Sequence, residues 1–451
     1  MHLPAEYKRP HKRQRHTHAQ MAPASTKKAN RVSPPLRNIP TKIIIFETRM
    51  GMVSAMPGKI RSAQASVAQM EKTRHPFAVL QKAGNNGSRR QARRFTEQFI
   101  FRRVLMTDSI NFAILGPGSV ADFHRQAIEA NAGAGARLAA VAHYNPARFE
   151  ALSARFGVPC RTQADVLADP AIDVVVICTP SGQHAGQAIA AAQAGKHVLV
   201  DKPMATSLAD ADAMIAACEQ AGVKLGVSFQ RRNEPQFIRA RQAIEAGDFG
   251  ELALGAVTIP YFRPQSYYDS GGWRGTWAGD GGGVLMNQGI HLVDILLWLM
   301  GNPVEIRAHA GTLHRRIDVE DTLSASLRFA NGALATICAT TTAAPGFPHR
   351  VEIFGTRGGF QVEGSVVTRW LVAEPAAARI APPPTGGEAN AGAGSDPKGE
   401  GPALFMPVYR EFIRAVREDA SPQVDGREGR RSLATVLDIY KSAGIYRASL
   451  P

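Results

Sequence analysis

The stretch Phe112-Ala-Ile-Leu-Gly-Pro-Gly-Ser-Val-Ala121 decides the fold class of this 451-residue chain. It opens with an apolar run that ends at Leu115, passes through two glycines, and leads into helical periodicity from Asp122 onward. An apolar strand, a turn with the spacing Gly-x-Gly-x-x-Ala and a helix together form the phosphate-binding fingerprint of a dinucleotide. The stretch therefore predicts the first unit of a doubly wound α/β sheet.

Each small residue of the fingerprint has a physical role. Gly116 permits the turn, Gly118 lets the backbone approach a pyrophosphate, and Ala121 lets the helix pack closely on the strand. The helix N-terminus, preceded by Ser119 and Val120, presents free N–H groups to the phosphates. We therefore expect Gly116, Gly118, Ser119 and Val120 to bind a dinucleotide.

Strands and helices alternate after the fingerprint. The strands are continuous apolar runs, which is typical of parallel sheets covered on both faces. Their order predicts a doubly wound parallel sheet, and we assign residues 108–230 to an NAD(P)-binding Rossmann domain. Ser207 and Asp210 form a capping-box-like helix start. The expected strands are Phe112–Leu115, Leu138–Ala142, Asp173–Cys178, His197–Val200 and Lys224–Phe229, and the expected helices are Asp122–Ala130, Ala185–Ala194 and Leu208–Ala221.

Two loops follow strands at their carboxyl ends, where a doubly wound sheet binds its ligand. They read Thr179-Pro-Ser-Gly-Gln-His184 and Asp201-Lys-Pro203. Lys202 follows a buried strand and precedes a proline that fixes the chain direction, so we expect a functional rather than a surface lysine. The residues predicted to bind the cofactor here are Thr179, Pro180, His184, Asp201 and Lys202.

The second strand is followed by His143, where NAD-dependent enzymes usually carry an Asp or Glu that holds the ribose hydroxyls. Without that carboxylate, the exclusion of a 2′-phosphate is weakened. His143 either hydrogen-bonds a ribose hydroxyl or is an ordinary loop residue. We predict NAD as the cofactor and leave NADP as the open alternative.

The chain becomes β-rich after Arg231, which predicts a C-terminal α+β domain over residues 231–451. Asn331-Gly332 is a strong hairpin signal. We expect one large, mainly antiparallel sheet with the helix Gly283–Met300 packed on it, and a disordered Ala/Gly/Pro-rich loop at about residues 373–402. The expected strands are Leu252–Phe262, Val304–Leu313, Thr322–Phe329, Ala333–Thr340, Val351–Phe354 and Gly359–Val362, and the closing helices are Val408–Arg417 and Arg431–Ala443.

The helix Gly283–Met300 is apolar almost all round, and such a helix is buried. Asn287, His291 and Asp294 interrupt it at spacings of four and three, which place them on one face. Buried polar groups need partners or a substrate. The stripe is therefore either a hydrogen-bonded network in the core or a catalytic face at the floor of a pocket.

The formal net charge of +15 is concentrated at the N-terminus. Residues 1–106 carry 22 Lys and Arg against 4 Asp and Glu, whereas the rest of the chain has a net charge of −3. The body of the chain therefore shows no electrostatic footprint for nucleic acid. We expect residues 1–107 to be a disordered basic leader, or Met106 to be the natural start. An arm that binds RNA or DNA is the functional alternative for the leader.

Four scattered cysteines show no paired spacing, so neither a disulfide framework nor a zinc site is expected, and the thiols fit a reducing compartment. The longest apolar run, Leu292–Met300, is shorter than the roughly 18–20 residues that span a membrane. We therefore predict a cytoplasmic protein without a metal and without a membrane partner.

These motifs together resemble the Gfo/Idh/MocA family of oxidoreductases over about residues 108–445. The resemblance rests on the fingerprint at Gly116, on Thr179–His184, and on Asp-Lys-Pro at 201–203 in place of the family's usual Glu-Lys-Pro. It also rests on the helix that reads Asn-Gln-Gly-Ile-His-Leu-Val-Asp. The resemblance implies a nicotinamide-dependent dehydrogenase that acts on a sugar hydroxyl.

The body of the chain also resembles the UDP-N-acetylglucosaminuronate 3-dehydrogenase branch of that family. This similarity is carried by Phe229–Arg232, by Tyr267–Trp277 and by Asn287. In the polyol branch an Asp at this last place can assist the base, so Asn287 argues against simple inositol dehydrogenase chemistry. The resemblance implies a sugar or sugar-nucleotide substrate, possible oxidation at C3, and a homodimer or homotetramer formed through the second domain.

The chemistry of the residues agrees with this implied activity. His291 has a suitable intrinsic pKa for the base that takes the hydroxyl proton. Lys202 can hydrogen-bond the same oxygen or relay the proton, and Asn287 can orient substrate but cannot take a proton. Arg232 and Arg274 are candidates for binding a carboxylate or diphosphate. The full set of expected substrate residues is Gln230, Arg232, Tyr267, Trp273, Arg274, Asn287 and Asp294.

Two other functions stay open from the sequence. One is an NAD-dependent glycosidase of the same family, which would show no net release of NADH. The other is a nucleotide-binding regulator without turnover, against which the intact Lys202 and His291 pair argues.

Overall fold

The computed structural model describes residues 109–387, 392–396 and 401–446. The predicted basic leader, residues 1–107, lies outside the described residues.

The first sheet is a six-stranded parallel sheet with the strand order β3-β2-β1-β4-β5-β6. β1 lies in its interior because its apolar residues are covered on both faces. All of its strand pairs are parallel, which confirms the predicted Rossmann-type fold class. The strands are β1 (Ile110–Leu115), β2 (Ala136–Ala142), β3 (Cys160–Arg161), β4 (Val174–Ile177), β5 (His197–Asp201) and β6 (Leu225–Ser228).

Helices cover both faces of this sheet. The Ser207 side chain accepts a hydrogen bond from the Asp210 N–H, so the predicted helix cap is confirmed. Three of the helices below were not predicted, namely α2, α3 and α6. The helices that cover the sheet are α1 (Ala121–Ala130), α2 (Phe149–Phe156), α3 (Gln163–Ala168), α4 (His184–Gln193) and α5 (Leu208–Ala221), and α6 (Pro235–Ala246) packs instead on the turn after β6.

The second sheet has seven strands in the order β13-β12-β11-β7-β10-β9-β8. It is antiparallel except for the parallel pair β7–β10, so the predicted mainly antiparallel sheet is confirmed. Gly332 adopts a positive φ of 85° in the predicted β9–β10 hairpin. The strands are β7 (Leu252–Pro260), β8 (Pro303–Gly311), β9 (Thr322–Phe329), β10 (Leu334–Thr340), β11 (Arg350–Gly355), β12 (Gly358–Glu363) and the unpredicted β13 (Val366–Val372).

The remaining helices join the two sheets. The buried helix α9 contacts β7 on one side and the C-terminal helix α11 on another. Helix α10 returns to the first sheet, where Tyr409 packs on Phe112 and its hydroxyl contacts His124 Nδ1 at 2.8 Å. These helices are α7 (Gln265–Asp269), α8 (Trp277–Asp280), α9 (Ile290–Met300), α10 (Phe405–Arg417) and α11 (Gly426–Ser442).

One expectation about the second half of the chain is corrected. Within the described residues, the helical stretch Trp277–Met300 has the length and composition of a membrane span, but 78% of its most apolar window is buried inside the protein. In the range of about 373–402, for which the sequence predicts a disordered loop, described residues contact the rest of the chain. The Arg379 and Ile380 N–H groups donate to the Asp248 carboxylate.

Candidate active site

A cavity of about 960 Å³ lies where the carboxyl ends of the first sheet meet loops of the second half of the chain. It brings together nearly all the residues that the sequence singled out. Arg232 and Asp294 are the two that do not line it. The predicted residues that line the cavity are Gly116, Gly118, Ser119, Val120, His143, Thr179, Pro180, His184, Asp201, Lys202, Gln230, Tyr267, Trp273, Arg274, Asn287 and His291.

The fingerprint turn has the shape that a dinucleotide needs. Gly116 has φ +80°, and a Cβ there would lie 2.7 Å from the Thr179 side chain, so only glycine fits. A Cβ on Gly118 would meet nothing closer than the Gly116 carbonyl oxygen at 3.9 Å. Any side chain at 118 would therefore project into the cavity, where a pyrophosphate approaches the N-terminus of α1. These residues fit an NAD(P) cofactor.

His184 lines the cavity, and its ring lies within hydrogen-bond distance of two loops, the one after β4 and the one after β5. Nδ1 lies 2.9 Å from the Pro203 carbonyl oxygen, and Nε2 lies 2.8 Å from the Thr179 carbonyl oxygen. Burial lowers the pKa of His184, so the ring is neutral and donates to one carbonyl at a time. Its structural role is to hold the cofactor loop against the Lys202–Pro203 loop.

Lys202 lies at the centre of a buried polar cluster. Its Nζ donates to the Asn287 backbone carbonyl at 2.7 Å, and burial lowers the pKa of the ammonium group. The Asn287 side-chain Nδ2 donates to Asp280 Oδ1 at 2.7 Å, while Gly275 N–H donates to Asp280 Oδ2 at 2.7 Å. Burial raises the pKa of Asp280 to about 6. Asp280 thereby fixes the Asn287 amide.

His291 is buried beside this cluster. Burial, with the positive charge of Lys202, holds the pKa of His291 well below its usual value. The ring is therefore neutral at neutral pH and can accept a proton. Its Nδ1 is buried, and no hydrogen-bond partner for it exists among the described residues. The ring packs edge-on against Phe229 at 5.8 Å between centroids, which limits its rotation.

The helix that carries these residues begins irregularly. Leu285–Gly289 form a π-helical turn before α9, and such turns occur frequently at functional sites. The Glu320 carboxylate accepts the N–H groups of Gly283 and Leu285 at 2.7 and 3.0 Å, and the Tyr440 hydroxyl at 2.7 Å. Glu320 therefore anchors the turn that contains Asn287, although burial raises its pKa to about 7.

The substrate side of the cavity is cationic and aromatic. The Arg274 guanidinium lies 4.8 Å from the Tyr267 ring centroid and 4.9 Å from that of Trp273. Arg231, which is buried and pairs with Glu234 at 2.6 Å, and Arg263 also line the cavity, and neither was predicted from the sequence. With Lys202 they give this side four cationic side chains, and Asp201 is the sole acidic residue among the described lining residues.

The expectation that Arg232 and Asp294 contact substrate is corrected by their burial in an ion pair. Arg232 Nε and Nη2 donate to the two Asp294 oxygens, each at 2.7 Å, and Nη2 also pairs with Glu428 at 2.8 Å. Ser432 donates to the same carboxylate at 2.7 Å. The pair therefore holds together the turn after β6, α9 and α11 and does not face the cavity.

Gln230, which the sequence predicts to bind substrate, lies on the cavity wall. It is buried, and its Oε1 finds no hydrogen-bond partner within the described part of the chain. A buried polar atom without a partner is costly, so this acceptor is available for a substrate donor.

The described residues contain no group of three or more His, Cys, Asp or Glu that could hold a metal ion.

A doubly wound sheet with a dinucleotide turn, joined to a neutral histidine and a buried lysine, defines a nicotinamide-dependent oxidoreductase. Residues 110–229 match the family described as "Oxidoreductase family, NAD-binding Rossmann fold", and residues 237–361 match "GFO/IDH/MocA C-terminal domain". The chain belongs to the Gfo/Idh/MocA family.

Three known proteins illustrate the relationship. Inositol 2-dehydrogenase from Rhizobium meliloti is 32% identical over 262 residues, which cover 56% of this chain and 76% of that protein. The WlbA dehydrogenase from Bordetella pertussis, solved with NADH and UDP-GlcNAcA, is 36% identical with a TM-score of 0.66 and covers 74% of this chain and 97% of its own. WlbA from Chromobacterium violaceum, solved with the same two ligands, is 34% identical with a TM-score of 0.66. The match covers 75% of this chain and 95% of the WlbA chain.

Proposed function

We propose that this protein is a dehydrogenase that oxidises a ring hydroxyl of an anionic sugar nucleotide, namely C3 of a UDP-linked N-acetylated uronic sugar. The observation that carries the proposal is the concentration of Lys202, Arg263 and Arg274 on one side of the cavity, where Asp201 is the sole acidic residue among the described lining residues. Arg231 also lines this side, but its guanidinium already pairs with Glu234 at 2.6 Å. Guanidinium groups bind carboxylates and phosphates bidentately, and both groups occur in such a substrate. The similarity to WlbA structures that hold UDP-GlcNAcA supports the same substrate class.

The residues at the floor of the cavity divide the chemistry. Neutral His291 takes the proton of the substrate hydroxyl, while Lys202 hydrogen-bonds the same oxygen and stabilises its developing negative charge. Bound NAD supplies the acceptor for the hydride that leaves the carbon. The Asn287 Nδ2 is committed to Asp280, so its Oδ1, which also accepts Gln288 Nε2 at 3.3 Å, is the atom that orients the substrate. The carbon–oxygen bond becomes a carbonyl as proton and hydride leave.

The first test is turnover of UDP-GlcNAcA with NAD, followed by NADH absorbance and by NMR of the product. We expect one NADH per ketone formed at C3. Removing the carboxylate, as in UDP-GlcNAc, should lower kcat/KM by roughly 10–10²-fold, the worth of one charge-assisted contact. Turnover of inositol without turnover of UDP-GlcNAcA would overturn the proposal, and sugar release without net NADH would establish the glycosidase alternative.

The second test removes the proposed proton-transfer groups. Lys202→Ala and His291→Ala should each lower kcat by roughly 10²–10⁴-fold, because each handles the hydroxyl proton or its charge. The affinity for NADH, measured by fluorescence titration, should stay within about threefold of wild type, because both substitutions lie away from the dinucleotide turn. Lys441→Ala is the matched control, since Lys441 is exposed and pairs with Asp438. A wild-type rate in either active-site variant removes that residue from the catalytic assignment.

The proposal includes a homodimer or homotetramer formed through the open face of the second sheet. Residues of β9 and β10 alternate between buried and exposed, and the exposed large side chains on or beside this sheet include Leu254, Leu313 and Leu334. Native mass spectrometry of the wild type and of Leu334→Arg tests this. A wild-type monomer at micromolar concentration would contradict it.

A further inference from the structure

The adenosine end of the cavity has a different character from that of an NAD-selective site. His143, Tyr144, Arg148, Thr162 and Gln163 line it, and no carboxylate does so among the described residues. NAD-selective enzymes place an Asp or Glu here to hold the two ribose hydroxyls, whereas an arginine nearby accommodates the 2′-phosphate of NADP. The charge of this end of the cavity therefore favours a phosphate over a bare hydroxyl.

The His143 ring is held in an orientation that makes it a donor. Its Nδ1 accepts the backbone N–H of Asn145 at 3.0 Å, a shorter contact than the 3.4 Å between Nδ1 and the Asn145 carbonyl oxygen, so the tautomer with the proton on Nε2 is favoured. The ring stacks on Tyr144 with 4.5 Å between centroids and 26° between planes. His143 therefore presents an N–H at the position where a carboxylate would accept the ribose hydroxyls.

Arg148 supplies the positive charge. It ends the short helical turn Pro146–Arg148, which the Asn145 side chain caps by accepting the Ala147 N–H at 3.0 Å. The side chain is exposed and lines the cavity, and no ion pair neutralises its guanidinium within the described residues. A guanidinium with free N–H groups binds a phosphate dianion through two hydrogen bonds.

We propose that His143 and Arg148 form a 2′-phosphate subsite, so that the protein binds NADP(H) more tightly than NAD(H). The proposal rests on the dinucleotide site of the proposed function and concerns the cofactor rather than the sugar. Hydride chemistry at the nicotinamide end is the same for both cofactors, because the 2′-phosphate lies on the adenosine ribose.

The test compares two nucleotides that differ only in the 2′-phosphate, 2′,5′-ADP and 5′-AMP, by isothermal titration calorimetry. The wild type should bind 2′,5′-ADP about 10–10²-fold more tightly, the worth of one or two charge-assisted hydrogen bonds. Arg148→Ala and His143→Asp should each remove about tenfold or more of this preference while leaving the affinity for 5′-AMP unchanged or, for His143→Asp, improved. Arg137→Ala is the control, because Arg137 is an exposed arginine on β2 outside the cavity.

Equal affinities of the wild type for the two nucleotides would overturn the proposal, and so would an Arg148→Ala variant that loses both to the same extent. Direct titration of NADPH and NADH provides a second readout with the same two outcomes. Neither measurement contains a sugar, so failure of the proposed substrate would leave these results unaffected, and failure of the subsite would leave the sugar assays unaffected.

Discussion

Asp280 lies beneath the proposed catalytic residues and titrates in a useful range. Burial raises its pKa to about 6, and as a carboxylate it accepts the Asn287 amide and the Gly275 N–H on separate oxygens. Protonation below pH 6 turns one of those oxygens into a donor and loosens the amide. The carboxylate form is therefore the active one, and kcat should fall as the pH drops through about 6.

The substitution Asp280→Asn separates this group from His291, whose pKa lies well below its usual value. The variant cannot titrate at 280, so the limb near pH 6 should disappear. The plateau of kcat at high pH should fall about tenfold in this variant. The amide introduced at position 280 has one N–H group facing the N–H donor of either Asn287 or Gly275, so one hydrogen bond is lost. The measurement is kcat from pH 5 to 9, and a limb near 6 that persists in the variant assigns that limb to another group.

The contrast between Arg231 and Arg232 shows where sequence reasoning stops. Both follow β6 in one short helical turn, and Arg232 was the one predicted to bind substrate. Both side chains are buried in ion pairs: Arg231 lines the cavity and pairs with Glu234, whereas Arg232 pairs with Asp294 away from the cavity. That difference depends on a carboxylate 62 residues away, and a local pattern carries no information about such a distant partner.

The fingerprint turn permits a matched pair of substitutions that separate binding from folding. Gly118→Val should leave the fold intact, since a Cβ there meets nothing within 3.9 Å, yet weaken NADH binding by roughly 10–10²-fold through lost pyrophosphate contacts. Gly116→Ala should instead lower the free energy of unfolding by roughly 2–4 kcal/mol, from its positive φ and its clash with Thr179.

Fluorescence titration and urea denaturation measure the two effects side by side. Unchanged NADH affinity in Gly118→Val would count against the fingerprint as the pyrophosphate site. A Gly116→Ala variant as stable as wild type would mean that the turn relaxes without strain.

Elements with strong periodicity were predictable, and elements set by tertiary contacts were not. The apolar runs of the first sheet and the Asn331-Gly332 hairpin are local signals, and the structure confirms them. The two-residue strand Cys160–Arg161 exists only because β2 lies beside it. The π turn at Leu285–Gly289 depends on Glu320, which binds the backbone from another part of the chain. The four-residue spacing of Asn287 and His291 therefore does not report an ordinary α-helical face.

The buried ion pair of Arg232 and Asp294 links three distant parts of the molecule, which makes it a test of how the whole chain holds together. Removal of the Asp294 carboxylate leaves the buried Arg232 with the half-buried Glu428 as its remaining ionic partner, so Asp294→Asn should lower the free energy of unfolding by roughly 2–3 kcal/mol, below the full cost of an uncompensated buried charge. Asp212→Asn, which breaks an exposed pair with Arg430 at 2.9 Å, should lower it by roughly 0–1 kcal/mol.

A double substitution then distinguishes support from substrate recognition. Replacing both charges with apolar residues of similar volume, as in Arg232→Met with Asp294→Leu, should recover most of the stability, because no unpaired charge remains between the partners. Since neither side chain lines the cavity, kcat/KM of the folded double variant should stay within about threefold of wild type. A stable double variant with a large rise in KM would return Arg232 to the substrate site. Since such a variant is folded, the rise in KM would have to come from a lost contact with substrate.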